Sequence, residues 1–154
     1  PVVFIGNTCK NIDESQSKEF TFGYMTFNDV SARDIQMHDK HFTRGKSFDT
    51  FAPSGPWITS VDEIEDPQDL RLTTKVNGYV RQDSSTKNMF IKIPSIISKL
   101  SKIMTLEKGD IIATGTPEGV ALNNSDIPFL KDGDEIEMSI EKLGKIKNIV
   151  RFTD

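Results

Sequence analysis

Carboxylates, two arginines, a lysine and two carboxamides crowd into Asn28-Asp29-Val30-Ser31-Ala32-Arg33-Asp34-Ile35-Gln36 and Arg44-Gly45-Lys46-Ser47-Phe48-Asp49-Thr50. Together such groups can grip a hard cation and a small anion at once. A purely structural segment has little need of that mixture. Asp29 follows a strand end and sits beside a helix start, where an aspartate is either a cap, a solvated charge or an oxygen ligand. Arg33 and Gln36 are three apart on a short helix and share a face. The planar fork of Arg33 suits a carboxylate, with an ion pair to Asp29 or Asp34 as the plain alternative. Lys46, between Gly45 and Ser47, either reaches into a pocket or lies on the surface.

A second group follows the apolar run Ile111-Ile112-Ala113-Thr114. In Gly115-Thr116-Pro117, backbone N–H groups and the threonine hydroxyl could hold an anion, or could simply form a strand-ending turn. Neither a Walker lysine nor G-x-G-x-x-G occurs, so the glycines do not read as a nucleotide loop. His38 and His41 have no third histidine to join them and the chain has one cysteine, so a zinc site is a poor reading.

The elements that must position these groups are mostly strands. Val2–Ile5 is a short apolar run, and Tyr24–Asn28 is a second strand candidate. Asp13-Glu14-Ser15-Gln16 has a capping-box pattern that predicts a helix ending before Gly23. Ser31–Asp34 predicts a capped helix to about His38, and residues 42–55 a long loop. Leu70–Val76, Asn77-Gly78 and Tyr79–Gln82 predict a hairpin with a type I′ turn. Pro94–Met104 predicts a helix with Ile96, Ile97, Leu100, Ile103 and Met104 on a core face. Ile111–Thr114 predicts a buried strand. Glu135–Glu141 and Ile146–Phe152 predict the last two. The fold class is mainly β with a few short helices (α+β), a sandwich or closed roll.

With 154 residues the chain has room for one domain, taken as 1–154. A net charge of −4 argues against nucleic acid as the main partner, since phosphate binding needs a basic excess. One cysteine, Cys9, forms no internal disulfide and points to a reducing, cytoplasmic setting. No apolar run approaches the roughly 20 residues of a membrane span. The apolar opening Pro1-Val2-Val3-Phe4-Ile5-Gly6 reads as a strand already under way, which points to sequence upstream.

Four ordered motifs carry more than any one of them. They are Asn-Asp-Val-Ser-x-Arg-Asp-x-Gln, Arg-Gly-Lys-Ser-Phe-Asp-Thr-Phe-x-Pro-x-Gly-Pro-Trp, Val-Asn-Gly-x-x-x-Gln and Gly-Asp-Ile-Ile-x-Thr-Gly-Thr-Pro-x-Gly-Val. From about Val2 to Val150 the chain resembles the C-terminal catalytic domain of the fumarylacetoacetate hydrolase family. The resemblance implies a mixed β-roll, a homodimer, and a divalent ion, Mg²⁺ or Mn²⁺. Asp29 matches one metal ligand, and the other two are a Glu-x-Glu pair that shares one face of a strand. That pair would fall immediately ahead of Val2–Gly6, so the expectation is an upstream segment that carries it; a domain without the pair is the alternative. By the same match Lys46 would stabilise enolate charge, Arg33 and Gln36 would orient substrate or neighbouring acids, and Gly115 and Thr116 would bind a substrate carboxylate.

The implied chemistry is hydrolysis of a C–C bond in an acylpyruvate-type 2-oxo acid, of the kind met in aromatic catabolism. The keto oxygen and carboxylate chelate the ion, and the broken bond leaves a pyruvate-type enolate. The same electron sink would serve a decarboxylase, an isomerase, a hydratase or a dehydratase. A non-catalytic binding or dimerisation module is the reading from a different class.

Overall fold

The computed structural model describes residues 1–122 and 124–152. In chain order its elements are β1 (Val2–Ile5), α1 (Ser17–Phe20), β2 (Thr21–Phe27), α2 (Arg33–Asp39), α3 (Thr43–Lys46), β3 (Ser54–Ser60), β4 (Arg71–Val76), β5 (Tyr79–Ser85), α4 (Ile93–Ile103), β6 (Ile111–Ala113), β7 (Glu135–Ile140) and β8 (Gly144–Ile149). The strands form two four-stranded sheets, ordered β3-β2-β1-β6 and β5-β4-β7-β8. Every ladder between these strands is antiparallel. The fold is mainly β with short helices, as the sequence predicts.

Strand β1 is central because it has no polar face to offer water. Val2 and Val3 are both fully buried, which requires cover on both sides of the sheet. Val3 and Ile5 enter a core with Tyr24, Ile97, Ile112 and Leu143. The predicted hairpin forms with Val76 opposite Tyr79, and Asn77 and Gly78 both take positive φ, 52° and 80°. That is the backbone a two-residue type I′ turn requires. Asn77 is further held by Asp134, whose carboxylate accepts from its amide at 2.8 Å.

Several elements depart from the sequence pattern. The capping box is present, with the Asp13 N–H donating to Gln16 Oε1 at 3.0 Å. The helix it starts nevertheless stops at Phe20, and Gly23 lies inside β2 rather than ending the helix. Its glycine has a different cause: a β-carbon there would meet the Thr59 carbonyl oxygen at 2.2 Å, so only glycine lets β3 approach. Helix α2 starts after Ala32 without a side-chain cap, because the Ser31 hydroxyl donates back to the Asp29 carbonyl instead. The expected long loop 42–55 contains α3. Gly45 of that turn is buried, and its carbonyl accepts from the Ala32 N–H at 2.8 Å.

Helix α4 buries Ile93, Ile97, Ser98 and Ser101, while Ile103 and Met104 at its end are 78% and 52% exposed. The expected apolar face is therefore rotated. Two serines do this by docking on Ile12: Ser98 Oγ donates to its carbonyl at 2.9 Å, and Ser101 Oγ accepts from its N–H at 3.1 Å. Strand β6 is an edge strand, so only Ile112 of it is buried and Ile111 is not. Strand β8 ends at Ile149, short of the expected Phe152.

The chain between α2 and α3 is clamped by Arg44, whose guanidinium donates to both Asp39 carboxylate oxygens at 2.6 and 2.5 Å. That bidentate contact holds the Asp39 carboxyl below the usual aspartate range. A depressed pKa in the folded state means the contact stabilises above the ordinary aspartate pKa and fails as pH falls through the lower, folded value. Asp39→Asn should therefore lower the melting temperature at pH 7, with the difference from wild type closing as the pH is taken down through the Asp39 titration. Thermal melts across that range check it. Ile97→Ala should cost about 2–5 kcal/mol by emptying a fully buried site. Ile103→Ala should change stability by less than about 0.5 kcal/mol. Denaturant unfolding of the two variants separates the face that packs from the face that does not.

Candidate active site

Strands β2 and β6 flank β1 and, both being antiparallel to it, run in the same direction. Val2 pairs with Met25 near the end of β2 and with Ala113 at the end of β6. The chain therefore leaves both strands at one rim, on either side of the start of β1. Neighbouring strands lie about 4.8 Å apart, which puts β2 and β6 about 10 Å from each other. The rim is tied across by Thr114, whose hydroxyl donates to the Pro1 carbonyl at 2.8 Å.

On the β2 side stand Asp29, Lys46, Arg33 and Gln36. Asn28 is held by its N–H donating to the Pro53 carbonyl at 2.9 Å, which fixes the exit of the strand just before Asp29. Lys46, the last residue of α3, donates through Nζ to Asp29 Oδ2. The two side chains are 32% and 45% exposed, so this pair adds little to folding stability. Its consequence is positional: an ammonium and a carboxylate are held together at the sheet rim. Arg33 takes neither of the acids considered as its partners. It donates from Nη1 to Gln36 Oε1 at 2.7 Å, and Gln36 is buried at 4% exposure, so a buried carboxamide orients the fork.

On the β6 side, Gly115 takes φ of 96°, a backbone conformation in which side chains strain. Gly115 and Thr116 are exposed at the rim. Thr116 Oγ1 accepts from the Gln82 amide at 2.9 Å. Gln82 comes from β5 in the other sheet, and its part in the site is missing from the sequence reading. The one signal was its place at the end of the Val-Asn-Gly-x-x-x-Gln motif, which names no partner.

The fold thus brings the two sequence-predicted groups, Asp29 to Lys46 and Gly115-Thr116, to one rim. His38 and His41 are exposed on the helical segment. Among the described residues no three His, Cys, Asp or Glu side chains gather to hold a metal ion. Asp29 fits as one arm of a hard-cation site: it is an exposed oxygen donor at the sheet rim. Magnesium-type ions commonly take one or two carboxylates and fill the rest with water and substrate oxygens. The described residues supply one such arm. None of the described helices is long and apolar enough to cross a membrane.

The model of the fumarylacetoacetate (FAA) hydrolase C-terminal family matches residues 2–151. An oxaloacetate tautomerase of Bacillus subtilis, YisK, is 43% identical over 146 residues, covering 95% of this chain and 48% of its own length. A fumarylacetoacetate hydrolase structure from psychrophilic Exiguobacterium antarcticum superposes with a TM-score of 0.94 at 44% identity, over 97% of this chain and 54% of that one. A maleylpyruvate hydrolase from Sphingobium sp. SYK-6, solved with manganese(II) and pyruvate, superposes with a TM-score of 0.85 at 36% identity, over 97% of this chain and 52% of that one. The chain spans about half the length of these relatives. It belongs to the fumarylacetoacetate hydrolase family, matching the C-terminal domain.

Proposed function

We propose that this domain is the catalytic part of a divalent-metal-dependent enzyme that hydrolyses a C–C bond in an acylpyruvate-type 2-oxo acid. The observation that carries this reading is the Asp29–Lys46 pair standing across one sheet rim from Gly115-Thr116. Asp29 would be one ligand of Mg²⁺ or Mn²⁺, with water and substrate oxygens among the others. A bound divalent ion supplies Lewis acidity toward the 2-oxo carbonyl.

The chain's own residues do the rest. Thr116 and the backbone of Gly115 receive the carboxylate of the substrate, opposite Asp29. Lys46 carries fixed positive charge beside that site, where it opposes the negative charge that builds on an oxygen as a carbon–carbon bond breaks. Arg33, braced by Gln36, orients a second carboxylate or the neighbouring acids. Both partners of the Asp29–Lys46 pair are present before substrate arrives, so little reorganisation accompanies the chemical step.

A second reading keeps the site and changes the outcome. The similarity to an oxaloacetate tautomerase favours proton transfer on a 2-oxo acid, and the same site would serve a decarboxylase or dehydratase. Product analysis on acylpyruvates and oxaloacetate separates these. Hydrolysis yields two carboxylic acids, decarboxylation yields CO₂, and tautomerisation conserves mass. We expect two acids.

In the full-length protein Asp29→Ala should abolish metal-dependent turnover while shifting stability by less than about 1 kcal/mol, the range of an exposed ion pair. Turnover that survives at saturating Mg²⁺ would remove Asp29 from the ligand set. Lys46→Met should slow turnover at least about tenfold, or about 1.4 kcal/mol of transition-state stabilisation. A wild-type rate would leave Lys46 without a role in the reaction.

A further inference from the structure

Gln82 is a buried carboxamide, 7% exposed, at the centre of a hydrogen-bond hub that joins the two sheets. Its Nε2 donates to Thr116 Oγ1 at 2.9 Å, to the Pro117 carbonyl at 3.0 Å and to the Glu118 carbonyl at 3.1 Å. Its Oε1 accepts from the Thr74 hydroxyl at 2.8 Å. Two amide hydrogens serve three acceptors, so one is shared. The loop is also pressed onto β5 at Gly119, where a β-carbon would meet the Arg81 carbonyl oxygen at 1.9 Å.

The chemistry of those partners decides which way the amide points. Two backbone carbonyls can only accept. Turning the amide over would set Oε1 against both of them, so the NH₂ must face the loop. Thr116 therefore meets a group that only donates. Its oxygen is committed as an acceptor on that side, and its one hydroxyl hydrogen is left pointing elsewhere. Thr116 is exposed at the rim, so that hydrogen is offered to whatever binds there.

We infer that Gln82 is a positioning residue that holds the Thr116 hydroxyl as a donor toward the exposed rim, so that the rim selects a ligand oxygen with lone pairs, above all a carboxylate. This rests on the proposed role of Thr116 in binding the substrate carboxylate. It adds a reason for the preference and assigns it to a residue on the other sheet. A carboxylate at position 82 would invert the device. Gln82→Glu would accept from the Thr116 hydroxyl and turn its hydrogen inward, leaving a lone pair facing the ligand.

The test is a double-mutant cycle read by calorimetry, with oxalate titrated into the full-length protein saturated with Mg²⁺. Thr116→Val should weaken oxalate binding at least about tenfold, one factor of ten in Kd. Thr116→Ser, which keeps the hydroxyl, should stay within about threefold of wild type. Gln82→Glu should weaken binding as much as Thr116→Val, and adding it to Thr116→Val should change Kd little further. Lowering the pH should restore oxalate binding to Gln82→Glu as the new acid becomes a donor, with no such recovery in Thr116→Val. If Gln82→Glu does not fold, Gln82→Met carries the same cycle, with the loss again confined to proteins that keep the Thr116 hydroxyl. Wild-type affinity in Thr116→Val would overturn the carboxylate role of Thr116 itself. A loss in Thr116→Val with full additivity in the double variant would keep that role and overturn the positioning role of Gln82.

Discussion

The antiparallel pairing of β1 on both of its edges is the constraint on which the rest depends. Because β2 and β6 both oppose β1, they are parallel to each other and end at one rim. The chain carries Asp29 and Gly115-Thr116 out of the sheet there. Asp29 follows β2 by two residues, and Gly115-Thr116 follows β6 by the same short step. Burial of both Val2 and Val3 keeps β1 in the interior of the sheet, with cover on both of its faces.

Two buried carboxamides turn that frame into a site. Gln36 braces Arg33 on one side of the rim, and Gln82 braces Thr116 on the other. A buried amide costs free energy unless its groups are satisfied, and no buried side-chain nitrogen or oxygen among the described residues lacks a partner. Each amide gives one of its hydrogen bonds to a group at the rim. This leaves the outer groups ordered before any ligand arrives, which is what binding a small acid in a fixed pose requires. The ion pair between Lys46 and Asp29 differs in kind. It is exposed and weak as a source of stability, and its value lies in keeping opposite charges side by side.

Much of this was legible in the chain. The type I′ hairpin at Asn77-Gly78, the capping box at Asp13 and Gln16, and the strands near Val2, Glu135 and Ile146 follow local rules that act over a few residues. The failures share a cause. Helix α4 was expected to bury Ile103 and Met104, but Ser98 and Ser101 dock it on Ile12, more than eighty residues away in the chain. Gly23 reads as a helix stop until β3 is brought against it. Arg33 has two acids nearby in sequence and bonds to neither.

By itself the sequence determined which residues could do chemistry, because side-chain type and motif order are local properties: Asp29, Arg33, Gln36, Lys46, Gly115 and Thr116 were all in view. Only the tertiary structure decided that the two groups share a rim, since that follows from which strands hydrogen-bond to β1. It alone gave Gln82 a partner. The carboxamide reaches Thr116 across the gap between two sheets, 34 residues along the chain, and no spacing rule spans that distance.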